Sequence, residues 1–460
     1  MATQSDRIEQ QYAWTPQPEA ARYLNELVDQ FCQNCHAART LADRMLQETG
    51  TRLFDWVDHL AYPADDARAS RLSKLAFVPI DEGRRIVWHH PGGMFPPIVL
   101  EEISAPRLAI KVESAADFLF AQGLADVVIQ GLPGSPLRMA EFAAQDGHEL
   151  WAIERHGTRT FDPVELSPDF LGAALHHRET LRRRKRDFDD PEKGFEHARR
   201  RIRAAKTDLG PDWTCDAFFA GERDYWQSRN RAARLQKARQ DALGLGWANH
   251  DHHTYRSSRR YFTRLISLLE ELGMQCRERF YAGREAGWGA QVLEQGSAGI
   301  VVFADVDLSP DDVQGDFAHE ELPPHDKLGT VGLWCFLHGE AFLQAGMHHL
   351  ECQFDFAAAR QQLAEQGIDS MPPFTDFDFL KQAFTVGETW PVDPRRVDLA
   401  LEHGYISSEQ ADGFRRCGAM GSHLEVLQRD DGYKGFNQTG ISEIITATDP
   451  RKQSAGGART

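Results

Sequence analysis

Hydrophobic positions recur with two different periods along the chain, and the change of period divides it into segments. From Tyr23 to Leu41, and again through RLFDWVDHL, apolar residues return every three or four positions, which predicts a helical cap over residues 1–75. Beyond 76 the runs shorten to FVPI, RRIVWHH and PPIVLEEI, separated by the turn residues DEG and PGG. RLAIKVESAADFLFAQG then reads as a strand entering a short helix, and two more strands meet at Asp146-Gly147, so residues 76–165 sum to one βαβββ-like module. Helical spacing returns over 166–245. From 246 the order of strand, helix, glycine and strands recurs twice. GWANHDHHTYR opens the first pass; TVGLWCFLHG and AGMHHLECQFDF, read as strands, open the second, which ends in SHLEVLQRD, a loop and the short apolar segment ISEII. The expected fold class is α+β, with paired βαβββ modules forming half-open barrels, a helical N-terminal cap and a helical insertion. The catalytic pair is expected at 246–448 and a polar, disordered tail at 449–460.

Length and charge narrow the function. At 460 residues the chain is roughly three times the ~150 typical of one domain, so several packed units are expected. The net charge of −17 repels phosphate backbones and argues against nucleic acid as a partner. One stretch runs against that balance: between Arg178 and Lys206 twelve Lys or Arg stand against six Asp or Glu. Only Phe188 and Phe195 fall among its arginines, too few for a stacking surface, so a solvated helical hairpin packed on an acidic neighbour is expected. No apolar run nears the ~20 residues that span a bilayer, and the first residues lack a signal pattern, so a cytoplasmic protein with no membrane partner is expected. Seven cysteines, an odd number, fit reduced thiols. Cys32-Gln-Asn-Cys35-His36 has haem-attachment spacing, but helical periodicity around it places both thiols in packing.

Histidines supply the candidate chemistry. His250, His252 and His253 crowd one expected strand, and His348 and His349 crowd another, each ahead of an amphipathic helix. Glu425, between Leu424 and Val426, puts a carboxylate inside an apolar strand, where burial is costly unless a partner such as a metal satisfies it. Two imidazoles and one carboxylate form the facial triad of non-haem Fe(II) oxygenases.

At these residues the chain resembles the vicinal oxygen chelate superfamily, and within it the hydroxyphenylpyruvate dioxygenases. DHHTYRSSRRYFTRLISLLEELGMQCRERFYAG resembles the segment carrying that family's first histidine, which falls on His252. MHHLECQFDFAAARQQLAEQGIDSMPPFTDFDFL resembles the segment of the second, which falls on His349, and HLEVLQRDDGYKGFNQTGISEII that of the glutamate, which falls on Glu425. The resemblance spans about residues 247–447 and implies an Fe(II)-dependent dioxygenase that takes a small-molecule 2-oxo acid and O₂, coupling oxidative decarboxylation to hydroxylation. Arg256 and Arg429 share strand parity with the ligands and are expected to meet a substrate carboxylate, while Asn437 and Gln438 sit in the loop that would close the site. The chain departs from the family in its helical insertion, and the polar EHGYISSEQADGFRRCGAMGS stands where a substrate-lining strand is expected ahead of Glu425. Glu294 competes as a fourth ligand. It would make a two-His two-carboxylate site suited to Mn, Mg, Ni or Zn and to lyase or isomerase chemistry; its other reading is a rim residue paired with an arginine. A catalytically inactive binding protein on the same scaffold is the remaining alternative, and a homodimer stays open.

Overall fold

Two large sheets carry most of the strands, each made of two modules laid edge to edge. The computed structural model describes residues 14–437 and 448–452. Helices Pro18–Asn34 and His36–Arg44 place an apolar stripe, Leu24, Leu27, Val28, Phe31 and Leu41, against the first sheet. Cys35, fully buried, closes the junction between these helices, and all seven cysteines are unpaired thiols. Among the described residues no helix is long and apolar enough to cross a membrane.

The first sheet runs β1 (Val57–Pro63), helix Asp66–Lys74, β2 (Val78–Asp81), β3 (Arg85–His89), β4 (Ile98–Glu101), β5 (Arg107–Lys111), helix Ala115–Ala121, β6 (Leu137–Gln145) and β7 (His148–Arg155), in spatial order β2-β3-β4-β1-β5-β7-β6. It therefore holds a βαβββ and a βαββ module where one module was expected, and β1 lies inside the stretch expected to be helical. The reason is burial: Val57 to Tyr62 is covered on both faces, which erases the alternation that marks a half-exposed strand. The expected turn at Asp146-Gly147 is present, with φ of 50° and 73°, the left-handed pair that a tight hairpin needs.

The second sheet begins β8 (His250–Arg256), helix Phe262–Glu271, β9 (Gln275–Tyr281), β10 (Trp288–Gln295), β11 (Ile300–Asp307). Its second module follows as β12 (His349–Gln353), helix Phe356–Glu365, β13 (Thr375–Phe377) and β14 (Leu380–Phe384). A minor ribbon of β15 (Thr389–Trp390) and β16 (Ala419–Met420) precedes β17 (His423–Arg429). The order β13-β14-β17-β12-β8-β11-β10-β9 puts two βαβββ modules back to back across an antiparallel β8/β12 seam. Two expectations are corrected here. TVGLWCFLHG is a helix, Thr330–His338, buried on almost every side, and a continuous apolar run cannot by itself tell a buried helix from a buried strand. The strand beside Glu425 is not missing either: β14 pairs with β17, and the polar stretch belongs to an excursion carrying helices Pro394–Glu402 and Ser408–Cys417, the latter started by a Ser407/Gln410 capping box. ISEII lies outside the described residues.

The insertion forms helices Pro168–Arg182, Pro191–Ser228 and Arg231–Ala242, the long one kinked at Gly210-Pro211. Its arginines meet acids of the second sheet's helices: Arg199 and Arg203 reach Glu271 at 3.1 and 2.9 Å. Deeper, Glu222 takes Arg184 and Arg186 at 2.9 and 2.6 Å, and the β8 residue Tyr255 donates its hydroxyl to it at 2.9 Å.

Candidate metal centre

Register decides what the β8/β12 seam brings together. His252 faces Glu351, and Thr254 faces His349, across the antiparallel pair. Parallel pairing then sets His423 beside His349 and Glu425 beside Glu351. Alternation along each strand sends His252, His349, Glu351 and Glu425 to one face. All four are buried, and one donor atom each from His252, His349 and Glu425 lies within 4.8 Å of the other two.

The partners around this set fix its orientation. His349 Nε2 sits 3.2 Å from Glu425 Oε2, while its Nδ1 shares a 2.9 Å hydrogen bond with His348 Nδ1, leaving Nε2 to face the carboxylate. His252 Nε2 lies 2.5 Å from Glu351 Oε2, and Asp251 approaches its Nδ1 at 3.8 Å. Gln382 on β14 donates to both carboxyls, at 3.2 Å to Glu351 and 3.1 Å to Glu425. Aromatic rings wall the histidines: Phe303 is 4.4 Å from the His252 ring and Phe384 is 4.9 Å from that of His349.

Electrostatics around the set suit a divalent cation. Burial lowers the pKa of both His252 and His349, so both rings are held in the neutral form that ligates metals. Burial, then the charge of Glu425, pushes Glu351 well above the carboxylate range, and burial raises Glu425 to about 8. The Glu351 Oε2 atom is fully buried and has no hydrogen-bond donor, because its close contact with the His252 nitrogen lacks hydrogen-bond geometry. Two neutral imidazoles converging with the buried Glu425 carboxyl are a donor set for a divalent cation, so the residues fit a metal; the orphaned Glu351 oxygen is the observation that favours a second carboxylate ligand.

The other expected site residues fall in different places. Glu294 stands on β10, two strands from His252, partly exposed and paired with Arg277 at 3.4 Å and Lys434 at 3.6 Å. The position in the first module that corresponds to Glu425 is Phe303 on β11, as the registers Thr254/Phe303 and Glu351/Glu425 show, so that module lacks a matching carboxylate. Arg429 gives its Nε to both oxygens of Asp251, at 2.8 and 3.0 Å, and its Nη1 to the carbonyls of Tyr433 and Gly435. It thus orders the loop and Asp251; burial alone would raise Asp251, but Arg429 and His252 hold its carboxyl below the usual range. Arg256 is buried on the metal-facing side of β8, beside Asp305 in register, with its Nε and Nη1 unpartnered. Asn437 donates to Thr375 Oγ1 at 2.8 Å and ties the loop to β13, while Gln438 lies outside the described residues.

Glu351 was missed in reading the sequence. Its signal was the repeated tripeptide His-Leu-Glu at 349–351 and 423–425, two copies that pair in register on neighbouring parallel strands.

No protein-family profile and no curated protein matches the chain. Among solved structures it is similar to a substituted 4-hydroxymandelate synthase from Streptomyces coelicolor, with 14% identity over 86% of this chain and 98% of that one and a TM-score of 0.29. It is also similar to a putative hydrolase from Shewanella frigidimarina, with 14% identity over 49% and 98% of the two chains and a TM-score of 0.33. A third similarity is to methylmalonyl-CoA epimerase from Mycobacterium tuberculosis, with 12% identity over 40% and 88% and a TM-score of 0.23.

Proposed function

We propose that this protein is a divalent-metal enzyme on a vicinal oxygen chelate scaffold, and specifically an Fe(II)-dependent dioxygenase acting on a 2-oxo acid. The observation that carries the reading is the convergence of three buried donor atoms, from His252, His349 and Glu425, on one point of the second sheet. Iron bound there would supply a Lewis acid for a chelating substrate and the redox chemistry of O₂. The chain's own residues do the rest. His348 orients the His349 imidazole from behind, and Asp251, held by Arg429, places its charge 3.8 Å from the His252 ring nitrogen. Gln382 holds the two carboxyls in place, and Phe303 and Phe384 exclude water. Arg256 lies four residues along β8 from His252, about 13 Å at the rise of a strand. At that range it serves the far end of a substrate, not the chelating carboxylate.

Glu351 favours a second reading, a two-His two-carboxylate site for Mg, Mn, Ni or Zn in a lyase or isomerase, because its orphaned oxygen lies at the His252 nitrogen. Geometry supports the three-ligand set first, since Glu351 groups with Asp251 and His252, and Glu425 with His252 and His349. The test is anaerobic Fe(II) loading followed by O₂ uptake across a panel of 2-oxo acids. Uptake coupled to CO₂ release is expected; turnover of a substrate under argon would sink the dioxygenase reading.

A further inference from the structure

A cavity of about 970 Å³ lies between the first sheet and the metal-bearing sheet, and none of His252, His349 and Glu425 lines it. It touches the metal centre's surroundings through Asp251 and Arg429. Four of its carboxylates are already matched by cations. Asp58 takes Arg155 at 2.7 Å and His59 at 2.7 Å, Asp216 takes His156 at 2.8 Å, Glu113 takes Lys237 at 3.0 Å, and Asp251 takes Arg429. The wall's cations are not all matched in return. Lys111, at the end of β5, makes no ion pair or hydrogen bond; its side chain is exposed and lines the cavity. Arg223 is only 6% exposed, meets no carboxylate, binds His253 Nε2 through Nη1 at 3.2 Å and leaves its Nε without a partner. Both cations act on His250, whose Nδ1 on the same wall is also unpartnered. Desolvation lowers the pKa of Lys111; the Asp58 charge opposes this and the Arg155 and Arg159 charges add to it. The buried Arg223 guanidinium meets no carboxylate at ion-pair distance and leaves one nitrogen unserved, which is costly, and an anion drawn in by the exposed Lys111 ammonium would offset that cost.

We propose that this cavity is a second ligand site, which binds a small organic anion with its carboxylate or phosphate between Lys111 and Arg223 and its apolar body against Ile153, Phe161 and Trp247. The volume exceeds what an inorganic ion fills and suits a molecule of metabolite size. The inference is independent of the metal reading. It is tested by isothermal titration of the full-length, metal-loaded protein with phenyl phosphate and with phenylacetate, in wild type and Lys111→Met. One probe should bind saturably at one per chain, its identity telling phosphate from carboxylate. Lys111→Met should weaken that binding at least tenfold with metal content and melting temperature unchanged, because its ammonium has no protein partner to lose. Absence of saturable binding by either probe would overturn the proposal. So would equal affinity in wild type and Lys111→Met, which would report chelation at the metal.

Discussion

Glu351 and Glu425 occupy one row of one sheet face, yet they stand in different company. Glu425 shares its approach with both histidines, whereas Glu351 faces His252 and Asp251. Glu425→Gln should therefore strip the metal, since an amide cannot replace an anionic ligand in a three-ligand site. Glu351→Gln should hold metal affinity within about tenfold, the scale of an outer-sphere loss. Both are read by titrating metal into the purified variants; release of the metal by Glu351→Gln would move this carboxylate into the ligand set and favour the lyase or isomerase reading. Glu294→Gln should leave metal affinity unchanged, because its carboxylate is taken by Arg277 and Lys434.

At the scale of elements, the modules of the second sheet were legible because each joins a polar strand to an amphipathic helix that ends in glycine. His252, His349 and Glu425 stood out in the sequence as histidines crowded on such strands and a carboxylate between Leu424 and Val426, and the fold groups their donor atoms. What escaped was buried on all sides: β1 and the helix Thr330–His338 carry no periodic exposure for a pattern to follow. Register escaped too, and with it Glu351, since pairing between strands about 70 residues apart is set by tertiary packing. The insertion is fastened to β8 by Glu222, which serves Arg184, Arg186 and Tyr255 within the core. Glu222→Ala would leave two buried guanidinium groups unpaired and should cost about 3–5 kcal/mol in chemical denaturation. A loss under about 1 kcal/mol would show that the insertion is held by its apolar packing alone.

Across the whole molecule, His156 links the first sheet to the insertion, bridging Glu154 at 2.9 Å and Asp216 at 2.8 Å. Burial opposes its charge, but the two carboxylates prevail and raise it to about 9 from the ordinary 6.5. A raised histidine stabilises fully below its unfolded pKa, and that stabilisation, about 3 kcal/mol at most, is lost as pH rises through 9. The denaturation midpoints of wild type and His156→Gln should differ most near pH 6 and converge by pH 10; a gap that stays constant would mean that the bridge carries no charge. The metal centre is the claim on which the functional reading stands, and equilibrium titration with Co(II), followed by its visible absorption, tests it most directly. Wild type should take up one ion per chain with a spectrum of mixed nitrogen and oxygen ligation, and His349→Ala should lose that uptake while keeping its circular dichroism. Absence of stoichiometric binding in wild type, or unchanged binding in folded His349→Ala, would contradict it.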